Sequence, residues 1–370
     1  MEKEILKTIK YFSFFNYAPT FEEIYTFLGK KTAREALGEE LRRLSDPTSS
    51  SESSRGLRGA SIILTIIKHK DNLIRYTLPQ YSKKQIQNSK FKIQNSLDKL
   101  ENWKFKIYIK LLSIFPQIRL VGLSGSISMF NAQKNDDIDL FIITAKNRLF
   151  TARFIALFFA QILGLRRERN VVLSSKLQVL SSKLQVLSSK KWLTCPQCFA
   201  KRCRRVATWQ RVKNFILRVT CYVLRVTSDK VCLNLFFDES NLEVPTFKKT
   251  SYVAHEILQM KPIINKDQVY EKFLIANKWV LEYFPNSARL ISNIKYQNAK
   301  LHLKNQNYFL FLQCIFDILF LIFNFFSNLV EKINKKFQLQ FINKHRTNEL
   351  ITDTQLWFHP DDFGKKISDI

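Results

Sequence analysis

Acidic residues are scarce in this chain. Asp and Glu total 31 against 59 Lys and Arg over 370 residues, a formal charge of +28, which ordinarily points to nucleic acid, phosphorylated substrates or an anionic membrane. Cysteine is sparse too: six residues without the regular spacing of a secreted module exclude a disulfide scaffold and read as reduced thiols. Glycine numbers only 8, against 32 Phe and 39 Lys to 20 Arg, a skew that an AT-rich genome produces as readily as selection for a ligand. The first residues, MEKEILKTIKYFSFF, carry Glu2 and Glu4 and lack a small-residue cleavage site after an apolar run. A signal peptide is therefore not expected, and a cytoplasmic location is.

What the chain does have is core material. A hydrophobic fraction of 46% with 13% aromatics excludes general disorder, and the length suits two or three domains. The charge is partly local, since residues 170–228 hold 12 basic residues and no acidic one. Seven-residue units repeat at 82–95 and 172–185, and LRVT recurs at 217 and 224. None sustains a coiled-coil seam over three or four heptads, and they read as tolerated surface inserts, with a specific binding element as the alternative.

Organisation emerges around them. Ile5, Ile9 and Phe12 have helical spacing, and Thr20-Phe-Glu-Glu23 is a capping box opening a second helix. A third helix is expected from Thr32 to Leu44 on the face of Ala33, Ala36, Leu37, Leu41 and Leu44. Two β-type runs, Ile62–Lys68 and Leu73–Leu78, follow a Ser-rich loop. Three short helices and a hairpin resemble a winged helix-turn-helix, which makes Lys31, Arg34 and Arg42 DNA-contact candidates beside Lys30 and Arg43. Glu35, Glu39 and Glu40 on the same helix would repel phosphate, so a protein-contact module is the alternative.

The segment that carries chemistry is Leu120–Thr144. An apolar run ends in Ser124-Gly125-Ser126, and ten residues later Asp137-Ile138-Asp139 opens a second apolar run. Side chains at i and i+2 of a strand share a face, about 6.6 Å apart, so Asp137 and Asp139 can converge on metal while Ile138 packs behind. Gly125, lacking Cβ, lets backbone approach a triphosphate, and Ser126 offers a hydroxyl and amides. A hydrophobic residue, Gly-Ser, this gap and Asp-x-Asp between hydrophobics resemble the signature of the DNA polymerase β-like nucleotidyltransferase superfamily.

That resemblance implies a small mixed-sheet palm and Mg²⁺ (or Mn²⁺) held by Asp137 and Asp139. It also implies phosphate binding at Gly125 and Ser126, an NTP as substrate, and an unidentified acceptor that is a small molecule, a protein or RNA. It further implies a third carboxylate on a neighbouring strand. The next β-type run, Val231–Phe237, carries Asn234 at that position, a neutral and weaker ligand. Asp229, Asp238 and Glu239 are the substitutes, with Asp238 preferred as a catalytic residue because even spacing would put it on the face of Asn234.

The expected architecture is α+β. A winged-helix-like domain spans 1–80, a repeat-containing linker 81–100, the palm 101–240 with its basic insert 170–228, and a C-terminal helical region 241–370. An apolar helix over Arg148–Leu163 is expected behind the sheet. The expected activity is transfer of a nucleoside monophosphate. The alternative is a catalytically weakened nucleotide-sensing or DNA-binding regulator.

Other candidates are thinner. Cys195, Cys198 and Cys203 lack the second ligand pair of a zinc site. His255-Glu256 lacks a zincin's second histidine and reads as ordinary helix. Tyr270, Lys272, Asn277 and Trp279 are acceptor-pocket candidates by the same resemblance, with amphipathic packing as the alternative. Tyr308–Phe326 is 19 residues long with only Gln313, Asp317 and Asn324 polar. These three share one stripe, which suits a buried helix with a wet edge better than a membrane span, and a membrane partner is not expected.

Overall fold

A computed structural model describes residues 1–45, 64–68, 74–166, 230–288, 327–344 and 349–358. The basic insert, the Cys195–Cys203 cluster, Asp229 and the apolar run 308–326 lie outside these. The chain is mixed α+β, and no described helix is long and apolar enough to cross a membrane.

The first helices form as their spacing dictates. Helix α1 (Glu2–Phe14) buries Ile5, Ile9 and Phe12. In α2 (Phe21–Thr26) the Thr20 hydroxyl and the Glu23 carboxylate complete the capping box reciprocally. Helix α3 (Arg34–Ser45) turns Leu37, Leu41 and Leu44 onto both. Strands β1 (Thr65–Lys68) and β2 (Ile74–Thr77) pair antiparallel beside them.

The stretch expected to be a linker is instead helix. Helix α4 (Pro79–Glu101) starts with Pro at its first turn, and a seven-residue repeat returns to nearly the same helical face, so duplication does not interrupt it. Its second half is structural. The Lys92 ammonium donates to the Asn16 carbonyl and to Asn131 Oδ1, and Lys99 donates to the carbonyls of Lys134 and Asp136. Two buried ammonium groups thus brace the loop that leads into the aspartate pair.

Helix α5 (Trp103–Ile114) leads to β3 (Ile118–Leu123), the short α6 (Gly125–Ser128), β4 (Ile138–Thr144), α7 (Leu149–Ile162) and β5 (Val231–Asp238). Beyond them come α8 (Ser251–Gln259), β6 (Lys261–Asn265), α9 (Val269–Ala276), α10 (Val280–Tyr283), α11 (Ser327–Lys344), β7 (Leu350–Ile351) and β8 (Gln355–Trp357). Among the described residues six strands form one sheet in the order β6-β3-β4-β5-β8-β7, with β4–β5 its parallel pair. The region beyond residue 240, expected to be helical, therefore supplies three of these strands.

Alternation along the strands sorts two cores. Val121, Leu123, Ile138, Leu140, Ile142 and Phe236 face α5 and α7. Leu120, Phe141, Ile143 and Phe237 face α8 and α9, joined there by Phe12 and Phe27 from the N-terminal helices. Glu331 of α11 accepts the backbone N–H of Phe150 and Thr151, both at 2.8 Å, and so caps the apolar α7.

Candidate active site

Strands β3 and β4 run antiparallel with Leu123 opposite Leu140. The Ser124 N–H donates to the Asp139 carbonyl at 3.1 Å, so the Gly-Ser turn and the second aspartate lie side by side. Gly125 adopts φ +60°, and a Cβ built on it would lie 2.6 Å from Asp139 Oδ2. Only glycine combines that backbone with that clearance. Asp139 is half-buried on the α8-facing side, in the row of Phe141 and Ile143, and Asp137 precedes the strand.

Ser126 is engaged locally. Its hydroxyl donates to Asp136 Oδ2 at 3.2 Å, and that oxygen also accepts the Gln133 N–H at 2.8 Å. Asp136 thus folds the turn that delivers Asp137.

Of the substitutes for a third carboxylate, Asp238 and Glu239 are not brought to this point, and Asp229 lies outside the described residues. Between Asp139 and Phe141 the register with β5 shifts, three steps on β5 (Cys232 to Leu235) matching two on β4. This is a bulge within Leu233–Asn234, and it shifts Asp238 out of phase with Asp139. Asp238 pairs with Thr144, five residues past Asp139 and about 16 Å along the strand. Its Oδ1 accepts the N–H and hydroxyl of Ser240 at 2.9 and 2.5 Å, a turn-capping role. Glu239 lies at that same end, 3.5 Å from Arg119. Asn234 keeps its place beside the aspartate strand, its carbonyl accepting the Phe358 N–H at 2.8 Å.

A carboxylate that the sequence pattern assigns to an ordinary helix does reach the turn. Glu256 on α8 accepts the Gly125 N–H through Oε2 at 3.4 Å. Desolvation, then the charge of Asp139, pushes its pKa up to about 7, opposed by the hydrogen bonds from Gly125 and the Tyr252 hydroxyl. Tyr252, one turn earlier, has its own pKa raised by burial and by the charges of Glu256 and Asp139. Tyr11 of α1 is raised by burial and by the charge of Glu256. Its neighbour His255 points elsewhere, stacked between the rings of Tyr11 (3.9 Å) and Phe27 (4.1 Å), with burial holding its pKa well below the usual value. A Glu one position after a caged His carries no distinct one-dimensional signal; helical phase alone separates the two side chains.

Of the remaining candidates, Tyr270 and Asn277 have internal roles. Tyr270 donates to the Met260 carbonyl, and Asn277 ties Val244, Leu242 and Trp279 together, while Lys272 is exposed. Arg34 pairs with Glu22 and lies over Phe21 and Tyr25, and Arg43 bridges Glu2 and Glu40. Lys31 and Arg42 are exposed. Among the described residues no three His, Cys, Asp or Glu side chains are gathered into a ready-made metal cage.

Compared with protein-family models, curated proteins and solved structures, the chain matches none.

Proposed function

We propose that the chain is a nucleotidyltransferase that moves a nucleoside monophosphate from an NTP to an acceptor hydroxyl and releases pyrophosphate. One observation carries this: the Gly-Ser turn and the Asp-x-Asp strand, apart in sequence, meet at Gly125 and Asp139, where the missing Cβ makes room for a carboxylate. We read the sheet around β4 as a palm, and α1–α3 with the β1–β2 hairpin as a winged helix.

Mg²⁺ or Mn²⁺ fits the donor set, because hard carboxylate oxygens of Asp139 and Glu256 both meet the turn at Gly125. Bound there, the cation would supply charge neutralisation for the triphosphate. Asp137 and Asp139 would hold it, and Gly125 would admit the phosphates close to backbone. The Ser126 hydroxyl would rotate from Asp136 to a phosphate oxygen.

Purified protein incubated with radiolabelled NTPs, Mg²⁺ or Mn²⁺ and cell extract should label an acceptor, and the Asp137→Ala, Asp139→Ala double variant should not. Equal labelling by the two would end the assignment. Asn234, neutral where a carboxylate would strengthen catalysis, favours a second reading: a regulator that binds NTP without turnover and retains DNA with a steep salt slope. The ion pairs of Arg34 and Arg43 leave α3 fewer cations for phosphate.

A further inference from the structure

We infer that Glu256 of α8, and not a residue of β5, supplies the carboxylate that joins Asp139 on the nucleotide's divalent cation; this rests on the nucleotidyltransferase reading.

The two carboxylates are bracketed by one glycine. Gly125 donates its N–H to Glu256 at 3.4 Å, while the volume its side chain would need is filled by Asp139 at 2.6 Å. Strand β4 and helix α8 therefore deliver an acid each to the same turn, on the same face of the sheet. Strand β5 delivers none: its bulge leaves neutral Asn234 alongside, and Asp238 sits at the far end.

Glu256 is also held in place. The Thr250 hydroxyl caps α8 by accepting the Val253 N–H at 3.3 Å, and His255 is clamped between Tyr11 and Phe27. The Tyr252 hydroxyl donates to the Glu256 carboxylate one turn below. No lysine or arginine among the described residues balances it. A half-buried carboxylate beside another carboxylate is stabilised by a counter-charge, and a cation arriving with the nucleotide provides one. Mg²⁺ characteristically takes one or two protein carboxylates and fills its octahedron with phosphate oxygens and water. Asp139 and Glu256 supply that number at the turn itself, and Asp137 would add to them only as the chain before β4 closes on the cation, since no three such side chains are gathered among the described residues.

The test is Mn²⁺ binding by the full chain, read by electron paramagnetic resonance with α,β-methylene ATP, for the wild type, Asp139→Asn, Glu256→Gln and Glu256→Asp. Gln retains an oxygen for Gly125 and Tyr252 but not the charge. We expect Glu256→Gln to weaken Mn²⁺ binding about tenfold or more, and Glu256→Asp to recover part of it. Wild-type affinity in Glu256→Gln, together with loss in Asp139→Asn, overturns the role of Glu256 and leaves the nucleotidyltransferase reading standing. Absence of Mn²⁺-nucleotide binding in the wild type removes that reading and this inference together. Should Glu256→Gln fail to fold, Glu256→Asp decides: weaker binding supports the role, and unchanged binding overturns it.

Discussion

The carboxylate of Asp139 occupies the space that a β-carbon on Gly125 would need, 2.6 Å from Oδ2, and Gly125 holds φ +60° to make that approach. Gly125→Ala is expected to cost about 1–2 kcal/mol for the left-handed backbone alone. The new methyl must also push Asp139 aside, so NTP affinity falls together with stability. Urea unfolding and nucleotide titration measure the two; an alanine variant with wild-type nucleotide affinity would show that the close approach has no part in binding.

Glu256 makes stability depend on pH in a direction opposite to that of ordinary surface carboxylates. With its folded pKa near 7 and the unfolded value near 4.5, the folded chain keeps a proton that the unfolded chain has lost. Cation-free stability therefore declines as pH rises from about 4.5 to 7 and levels off above. Glu256→Gln should lack this decline and melt higher than wild type at pH 8 without divalent cation. Excess Mg²⁺ and nucleotide should narrow or reverse the order, since the wild type gains more from them. Thermal melts at several pH values test both statements.

His255 contributes on the other limb. Burial among Tyr11, Phe12, Phe27 and Phe284 keeps it neutral, so the unfolded chain takes up a proton as pH falls below 6.5 and the folded chain does not. Stability is lost progressively below that pH. His255→Phe should flatten this acid limb. His255→Ala should cost about 2–4 kcal/mol through the cavity left between two rings and should loosen α1 and α2 from α8, which limited proteolysis would detect.

The parts of the fold legible in sequence were those governed by local rules. The capping box at Thr20, the face of Ile5, Ile9 and Phe12, the apolar α7 and the strands around Asp139 all follow from spacing within a few residues. Long-range pairing was not legible. Strands β6 and β8 are short, and they are fixed by partners more than 100 residues away, as when Leu123 pairs with Lys261 and Phe237 with Gln355, while β7 pairs with β8 alone. Asp238 stands away from Asp139 because one extra residue in β5 changes which face every later side chain presents. Glu256 escaped because a carboxylate after a histidine in an amphipathic helix means nothing until the helix has a neighbour.

The ends that flank the basic insert meet. Arg166 bridges Val231, the Val231 N–H donates to the Leu165 carbonyl at 2.7 Å, and the Lys230 ammonium donates to the Gly164 carbonyl at 2.8 Å. Deleting residues 172–226 leaves eight residues to join Arg166 to Lys230, an ordinary connection length for ends already side by side. Loop-closure entropy changes by only about 0.6 kcal/mol per doubling of length. The deletion variant is therefore expected to keep its cooperative unfolding midpoint within a few degrees and its NTP affinity within twofold. Nonspecific binding to heparin should drop, since 12 basic side chains leave with no acidic one. An unfolded or nucleotide-blind variant would show that the insert belongs to the core, and that seven-residue duplication built part of the domain instead of extending a loop.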